Sequence, residues 1–352
     1  MCDYIQKNLR RDIPLTKLEE FIMYELYLNS RVAIDTLVKK SGIAHNTLLN
    51  KIQSLKNYYQ LHFTTIIDTD LLGFSESRII AIKFDKVPEL NLLKTIFFKD
   101  KFIQNAYLTS GDFDLIIYVI GTNKTEYEHW EFTFRIGLSR FKPKLYTSTL
   151  NHPIEGFIPI NSNLIYDSKL KSHEKIILSE LIKDSRIRIK TLAKIANISE
   201  MKVIYTIKRL RNSGIIKQFT TSIQKPDKRI YLFYSLNLTI TEEHHPKLLL
   251  KLLDEIIDNE NKSRVATDYS VVISTSGAFD SIYICNFDNG FIMDKRGPNF
   301  IKKIWSSESP IINTCNMVDV IVGQWPFNYN CYFKWKMEQD IEKKSPIRFK
   351  AY

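Results

Sequence analysis

Asp184-Ser-Arg-Ile-Arg-Ile-Lys-Thr-Leu-Ala-Lys-Ile-Ala-Asn-Ile-Ser199 decides how this chain is read, because it occurs twice. Its counterpart is Asn29-Ser-Arg-Val-Ala-Ile-Asp-Thr-Leu-Val-Lys-Lys-Ser-Gly-Ile-Ala44. Ser30, Arg31, Ile34, Thr36, Leu37, Lys39 and Ile43 match Ser185, Arg186, Ile189, Thr191, Leu192, Lys194 and Ile198 without a gap. The register continues through Ile52, Leu55 and Asn57 against Ile207, Leu210 and Asn212. Self-similarity at so long a period governs how every local signal is read. The chain reads as a tandem duplication.

Each copy reads as three short helices. In the second, Ile176, Ile177 and Leu181 recur at helical spacing, and Ile189, Leu192, Ala193 and Ile195 give the next segment an apolar face. Ser199 is placed to cap a third helix by accepting from a first-turn backbone N–H. That helix turns Val203, Ile207 and Leu210 inward and is expected to show Lys202, Tyr205, Thr206, Lys208, Arg209 and Arg211 to solvent. Gly214 ends it, where a left-handed residue is expected. Two apolar helices supporting a third with a basic, hydroxyl-bearing outer face match a helix-turn-helix. A plain three-helix bundle with a solvated charged face is the competing reading; the duplication, and the strand-rich segment after each copy, favour the helix-turn-helix.

The chain has 352 residues, enough for two or more well-buried domains. Its net charge of +11 favours an anionic partner, nucleic acid first and acidic membrane surface second. No apolar run is long enough for a membrane span, the start is not a signal peptide, and a cytoplasmic location is expected. Cys2, Cys285, Cys315 and Cys331 lack metal-ligand or disulfide spacing, which fits a reducing compartment. The excess charge is uneven. Residues 173–217 hold eleven Lys or Arg (175, 183, 186, 188, 190, 194, 202, 208, 209, 211, 217) against four acids (174, 180, 184, 200), leaving +7. Residues 19–63 hold five (31, 39, 40, 51, 56) against four (19, 20, 25, 35), leaving +1. The second copy therefore carries most of the attraction for phosphate, while Asn46, Thr47, Asn50 and Lys51 of the first are suited to base edges.

After each helical trio comes a strand-like lead, Phe63-Thr-Thr-Ile and Phe219-Thr-Thr-Ser. A strand at 78–84, a helix at 88–98, strands at 102–109 and 113–120 around the Ser110-Gly111-Asp112 turn, a helix at 126–139 and a strand at 145–150 then follow. This β-α-β-β-α-β order is the ferredoxin-like unit. The second half repeats it: strands at 230–240 and 270–275, a turn at Ser276-Gly277-Ala278, a strand through Cys285, and helices at 247–257 and 291–305, the last interrupted by Gly297-Pro298. Thr109-Ser-Gly-Asp-Phe-Asp114 reappears as Thr275-Ser-Gly-Ala-Phe-Asp280. A ferredoxin-like sheet has one face bare of helices, and two copies in one chain can cover each other.

A helix-turn-helix, a short strand connection and a ferredoxin-like unit with this Gly-Asp-aromatic-Asp turn resemble the leucine-responsive (Lrp/AsnC, feast/famine) regulator family, from about residue 17 to 156 and again from 173 to 323. The resemblance implies an α+β fold of two tandem units pairing as an intramolecular pseudo-dimer, each a winged helix-turn-helix followed by a ferredoxin-like domain. It also implies a transcription regulator rather than an enzyme, binding double-stranded DNA, with further self-association and a small effector such as an amino acid near Thr109, Gly111, Asp112 and Asp114. The chain departs from the family in its duplication, in Ala278 where the first copy has Asp112, and in a first recognition helix that ends without glycine.

The expected segments are an arm at 1–18, helix-turn-helix units at 19–63 and 173–219, ferredoxin-like domains at 64–156 and 220–323, a linker at 157–172 and an aromatic, basic tail at 324–352. DNA contacts are expected from Asn46, Thr47, Asn50, Lys51, Arg186, Lys202, Tyr205, Thr206, Lys208, Arg209 and Arg211, with Lys208 and Arg209 on phosphates and Lys202 and Tyr205 nearer the bases. The tail reads either as an arm packed over a domain edge or as a stacking or oligomer contact. No cofactor or metal is expected, since no phosphate-cradling loop, nucleophile elbow or zinc spacing occurs. Two alternatives stand beside this reading: a fused sirohaem-decarboxylase-like enzyme of the same fold, and a ligand-sensing partner that does not touch DNA. Two recognition helices on a pseudo-twofold body would enter major grooves roughly 34–36 Å apart. Because the two differ in sequence, footprinting is expected to show unequal half-sites; equal protection of a perfect palindrome would count against this.

Overall fold

Thr16 and Glu19 form a reciprocal capping box, backbone N–H to side-chain oxygen at 3.3 and 2.9 Å, that starts α1 (Lys17–Leu28). The structure, a computed structural model, describes residues 16–59, 61–155, 157–223, 230–237, 268–279, 281–287 and 311–323. Beyond α1, α2 (Ile34–Ser41) stops at Gly42, whose φ of 69° is left-handed, and α3 (His45–Tyr59) runs into β1 (Leu61–Ile67). There follow β2 (Glu76–Lys83), α4 (Leu90–Phe98), β3 (Ile103–Gly111), β4 (Leu115–Gly121), α5 (Lys124–Leu138) and β5 (Lys144–Glu155). The second helical trio is α6 (Ser172–Lys183), α7 (Ile189–Ala196) and α8 (Glu200–Asn212). It leads into β6 (Ile216–Ile223), β7 (Ile230–Asn237), β8 (Asp268–Gly277), β9 (Ser281–Phe287) and β10 (Ile311–Val322). The helices expected at 247–257 and 291–305, most of the arm and the aromatic tail lie outside the described residues. Among those described, no helix is long and apolar enough to cross a membrane.

Two sheets organise the molecule. β1 and β6 form an antiparallel ribbon by themselves, from Leu61 opposite Ile223 to Ile67 opposite Ile216. The other eight strands close into a barrel in the order β10-β3-β4-β2-β5-β8-β9-β7. Within it, β3-β4-β2-β5 and β8-β9-β7-β10 have the same ferredoxin-like order, and β5–β8 and β10–β3 are the two seams that join them. Closure leaves none of the eight described barrel strands as an edge strand.

Alternation decides which side chain fills which layer. Ile80, Ile82, Leu115, Ile117 and Val119 face Leu93 and Phe97 of α4 and Trp130, Phe134 and Leu138 of α5. Their neighbours Ile79, Ala81, Ile116 and Tyr118 face the other way, into a cluster with Phe113, Ile273, Phe279 and Cys315. β4 is consequently buried on both sides, and its Leu-Ile-Ile-Tyr-Val-Ile run has no polar position. The rings of Phe113 and Phe279, one from each hairpin, meet at 5.6 Å across the join. Both hairpins use one device: Thr109 Oγ1 donates to the Phe113 carbonyl at 2.9 Å, and Thr275 Oγ1 to that of Phe279 at 2.8 Å.

The interval 157–172, expected as a linker, runs to the first residue of α6, and its stretch 157–171 is packed. Phe157, Leu164 and Ile165 are buried, and Asn161 N donates to Gln104 Oε1 at 2.9 Å, which ties the segment to β3.

At the β5–β8 seam, Gly277 has a φ of +126°, and a Cβ there would lie 2.7 Å from the Thr147 carbonyl oxygen. Gly277→Ala is expected to destabilise the fold by about 1–3 kcal/mol, read as a lower urea midpoint. Burial pushes the Tyr118 phenol up to about 12, from an ordinary 10.0, and raises that of Tyr107 well above its ordinary value too. A phenol whose folded pKa is raised stabilises the fold fully below its unfolded value and loses that contribution as pH rises through the folded one. Alkaline titration should therefore show stability falling from about pH 10 to about pH 12, and a flat profile there would contradict the buried phenols.

Candidate nucleic-acid interface

Asn197, at φ 51°, turns the chain out of α7, and Ser199 Oγ accepts from Lys202 N at 3.3 Å to begin α8. Val203, Ile207 and Leu210 are buried against α6 and α7, and Gly214 (φ 79°) lets the chain leave for β6. The periodicity of the apolar residues thus fixes which side of α8 meets water.

Of the residues expected on that side, Lys202, Tyr205, Lys208 and Arg211 are exposed, as are Asn46, Thr47 and Asn50 on α3. Four others are engaged elsewhere. Thr206 is 2% exposed, because at 3.6 residues per turn it lies next to Leu210 at the edge of the inward side. Arg186 is half-buried and donates to the carbonyls of Ser30 and Val32 at 2.6 and 3.3 Å. Arg209 is ion-paired with the buried Glu174, so removing it would strand a carboxylate rather than report a phosphate contact. Lys51 is paired with Glu19 at 3.0 Å. Ile195, expected on the inner face of α7, is 45% exposed.

Arg188, Lys190 and Lys194, absent from the expected contacts, are exposed, as are Lys202 and Lys208, and none of these five has a hydrogen-bond or ion-pair partner among the described residues. The charge count of the second trio was the signal that could have found them. On the first trio, Lys40 is held by Glu25, Lys51 by Glu19 and Arg31 by a carbonyl, while Lys56 lies over the Phe63 ring. Lys39 alone of its five bases is uncommitted among the described residues. Between the two trios, the free positive charge among the described residues sits around α7 and α8.

The two trios are interlocked. Ser30 and Ser185 hydroxyls meet at 2.5 Å in the buried centre. Arg31 Nη1 donates to the Ser185 carbonyl at 2.5 Å, mirroring Arg186 on Ser30. Each guanidinium also lies over a ring, Arg31 over Phe219 at 5.5 Å and Arg186 over Phe63 at 5.4 Å. The ribbon completes the lock. Thr64 and Thr65 hydroxyls donate to the carbonyls of Ile182 and Leu181 at the end of α6, and Thr220 to that of Tyr27 at the end of α1. Helix C-termini leave carbonyls without partners, and here each trio's strand supplies them to the other trio. Burial lowers both guanidinium pKa values. Arg186→Ala should therefore cost roughly 1.5–3 kcal/mol of stability in urea unfolding, with the salt dependence of any duplex binding unchanged; a changed slope at normal stability would return Arg186 to the interface.

The turn proposed for an effector is mostly occupied by its own fold. Asp114 accepts from Lys83 Nζ at 2.8 Å and from Phe84 N at 2.9 Å, and Lys83 also donates to the Gly111 carbonyl at 3.0 Å. Thr109 is committed to Phe113. Gly111 and Asp112 lie exposed. Among the described residues no cluster of His, Cys, Asp and Glu could hold a metal.

The winged helix-turn-helix DNA-binding family matches residues 171–217. The HTH-type transcriptional regulator FL11 of Pyrococcus horikoshii is 26% identical over 115 residues, covering 32% of this chain and 76% of that protein. An uncharacterized HTH-type transcriptional regulator of Pyrococcus abyssi is 26% identical over 106 residues, covering 29% of this chain and 68% of the relative. The solved structure of the siroheme decarboxylase NirDL superimposes with a TM-score of 0.60 at 14% identity, over 94% of this chain and all of that one, which is a likeness of fold. Residues 171–217 thus match a winged helix-turn-helix DNA-binding family, and in this chain that domain is joined to a sheet of ferredoxin-like strand order.

Proposed function

We propose that the chain is a cytoplasmic, sequence-specific transcription regulator of the Lrp/AsnC type, not an enzyme, whose duplicated units act as an intramolecular pair. The observation that carries this is the group of five uncommitted cations around α7 and α8, in the domain that matches the DNA-binding family. The seams β5–β8 and β10–β3, with like residues at like places (Ser148 opposite Gly277, Cys315 opposite Gly111), support the pairing. In this reading α8 anchors the protein on phosphates and α3, with Asn46, Thr47 and Asn50, adds base contacts of weaker electrostatic grip. The proposal carries no effector at Thr109 or Asp114, whose polar atoms are taken by the fold.

Phosphate contacts give log K a slope of about −0.9 per contact against log salt. Lys208→Gln is expected to weaken duplex binding for all sequences alike and to flatten that slope by about one unit. An unchanged slope in a normally folded variant would refute the phosphate role of Lys208.

One observation favours a second reading: the likeness of fold to siroheme decarboxylase NirDL spans 94% of the chain. That protein has also been solved with an iron-uroporphyrin III analogue. A purified protein that takes up iron-uroporphyrin III, develops its absorbance and ignores duplex DNA would support the enzyme. Tight, salt-sensitive duplex binding with no uptake would support the regulator.

A further inference from the structure

α8 carries apolar side chains on its solvent side. Met201 is 73% exposed, Tyr205 68% and Ile204 47%, although Val203, Ile207 and Leu210 two or three positions away are buried. At 3.6 residues per turn, Met201, Tyr205 and Lys208 form the stripe opposite the buried one, and Ile204 lies beside it. This is the N-terminal half of the helix, the part of a recognition helix that reaches base edges. The matching positions of α3 are Asn46, Asn50, Gln53 and Leu49, so the two helices present different chemistry at the same places.

We propose that Met201, Ile204 and Tyr205 read the 5-methyl groups of thymine in the major groove, so that the half-site under α8 is selected by apolar contact. This rests on the duplex-binding reading above. The argument is one of charge and shape. Lys208 continues the stripe and Lys202 lies to one side of it on the same helix, while Arg188, Lys190 and Lys194 lie on the preceding helix and the turn before it; all five are exposed and without partners among the described residues. Its occupant must therefore offer apolar groups close to negative charge. A plain hydrophobic protein surface lacks the charge, and exposed apolar clusters on a soluble protein otherwise carry a penalty. The major groove, about 12 Å wide between its phosphate rails, displays the thymine methyl as its apolar group. Asn46 and Asn50 on α3 are suited instead to the hydrogen-bonding edge of adenine.

The test uses the full-length protein and a duplex selected from a random pool, in which thymines of each half-site are replaced by uracil. The substitution removes the methyl and leaves pairing and phosphates intact. Uracil in the α8 half-site is expected to weaken binding roughly fourfold for each contacted methyl, with the salt slope unchanged. The same replacement under α3 should have a smaller effect. In the Met201→Ala/Ile204→Ala variant, whose changes are on exposed positions, thymine and uracil duplexes should bind equally. Equal binding of both duplexes by the unaltered protein would overturn the inference while leaving the duplex-binding reading in place. So would a variant that keeps its thymine preference, or one that instead loses a protein partner. A protein that selects no duplex from the pool overturns both.

Discussion

The antiparallel pairing of β1 with β6 is the constraint on which the rest of the molecule depends. Each strand leaves the third helix of one trio, and their pairing forces the two trios to sit back to back. Thr64, Thr65, Thr220 and Thr221 are buried in this ribbon, which would be costly for free hydroxyls. Three of them find carbonyls at the ends of α6 and α1. Neither trio is complete alone, because each depends on the other to satisfy its helix ends. The orientation of α3 relative to α8 is thus set inside the fold, before any partner arrives.

The Ser-Arg pair at 30–31 and 185–186 explains how two similar trios carry unlike surfaces. In both, the arginine turns inward to the opposite trio's carbonyls and aromatic ring. The lock therefore uses the same residues on both sides and leaves the outer faces free to differ. On the first trio the remaining lysines are largely tied to Glu19, Glu25 and the Phe63 ring. Around α7 and α8, five cations stay unengaged. Phosphate attraction depends on free charge more than on total charge, so the imbalance between the two surfaces is sharper than composition alone suggests.

Much of this was legible in the sequence, and the misreadings have physical causes. The 3.6-residue period of Val203, Ile207 and Leu210 and the cap at Ser199 placed α8 within a residue. The strand expected at 113–120 is present as β4, from Leu115 to Gly121. Arg186 was misassigned because a basic residue beside a helix-turn-helix invites a phosphate; its identity in both repeats pointed to a structural duty shared by both. Thr206 lies at the margin of the apolar stripe, where a hydroxyl is compatible with either side. Arg209 could not be seen to pair with Glu174, thirty-five positions earlier, nor Phe63-Thr-Thr to pair with Phe219-Thr-Thr, 156 positions later. Long-range partners of this kind leave no local period. The interval 157–172 lacks regular alternation and read as a linker, although Asn105 and Gln104 hold it against β3.

The claim that one chain holds two unlike helices at a fixed separation is tested most directly by pulsed dipolar spectroscopy between spin labels on Asn57 of α3 and Asn212 of α8. Both side chains are exposed, and each lies near the end of its helix. The account predicts a single narrow distance distribution in dilute protein, unchanged on further dilution or on adding duplex. A broad distribution, or one that narrows only as chains associate, would contradict it.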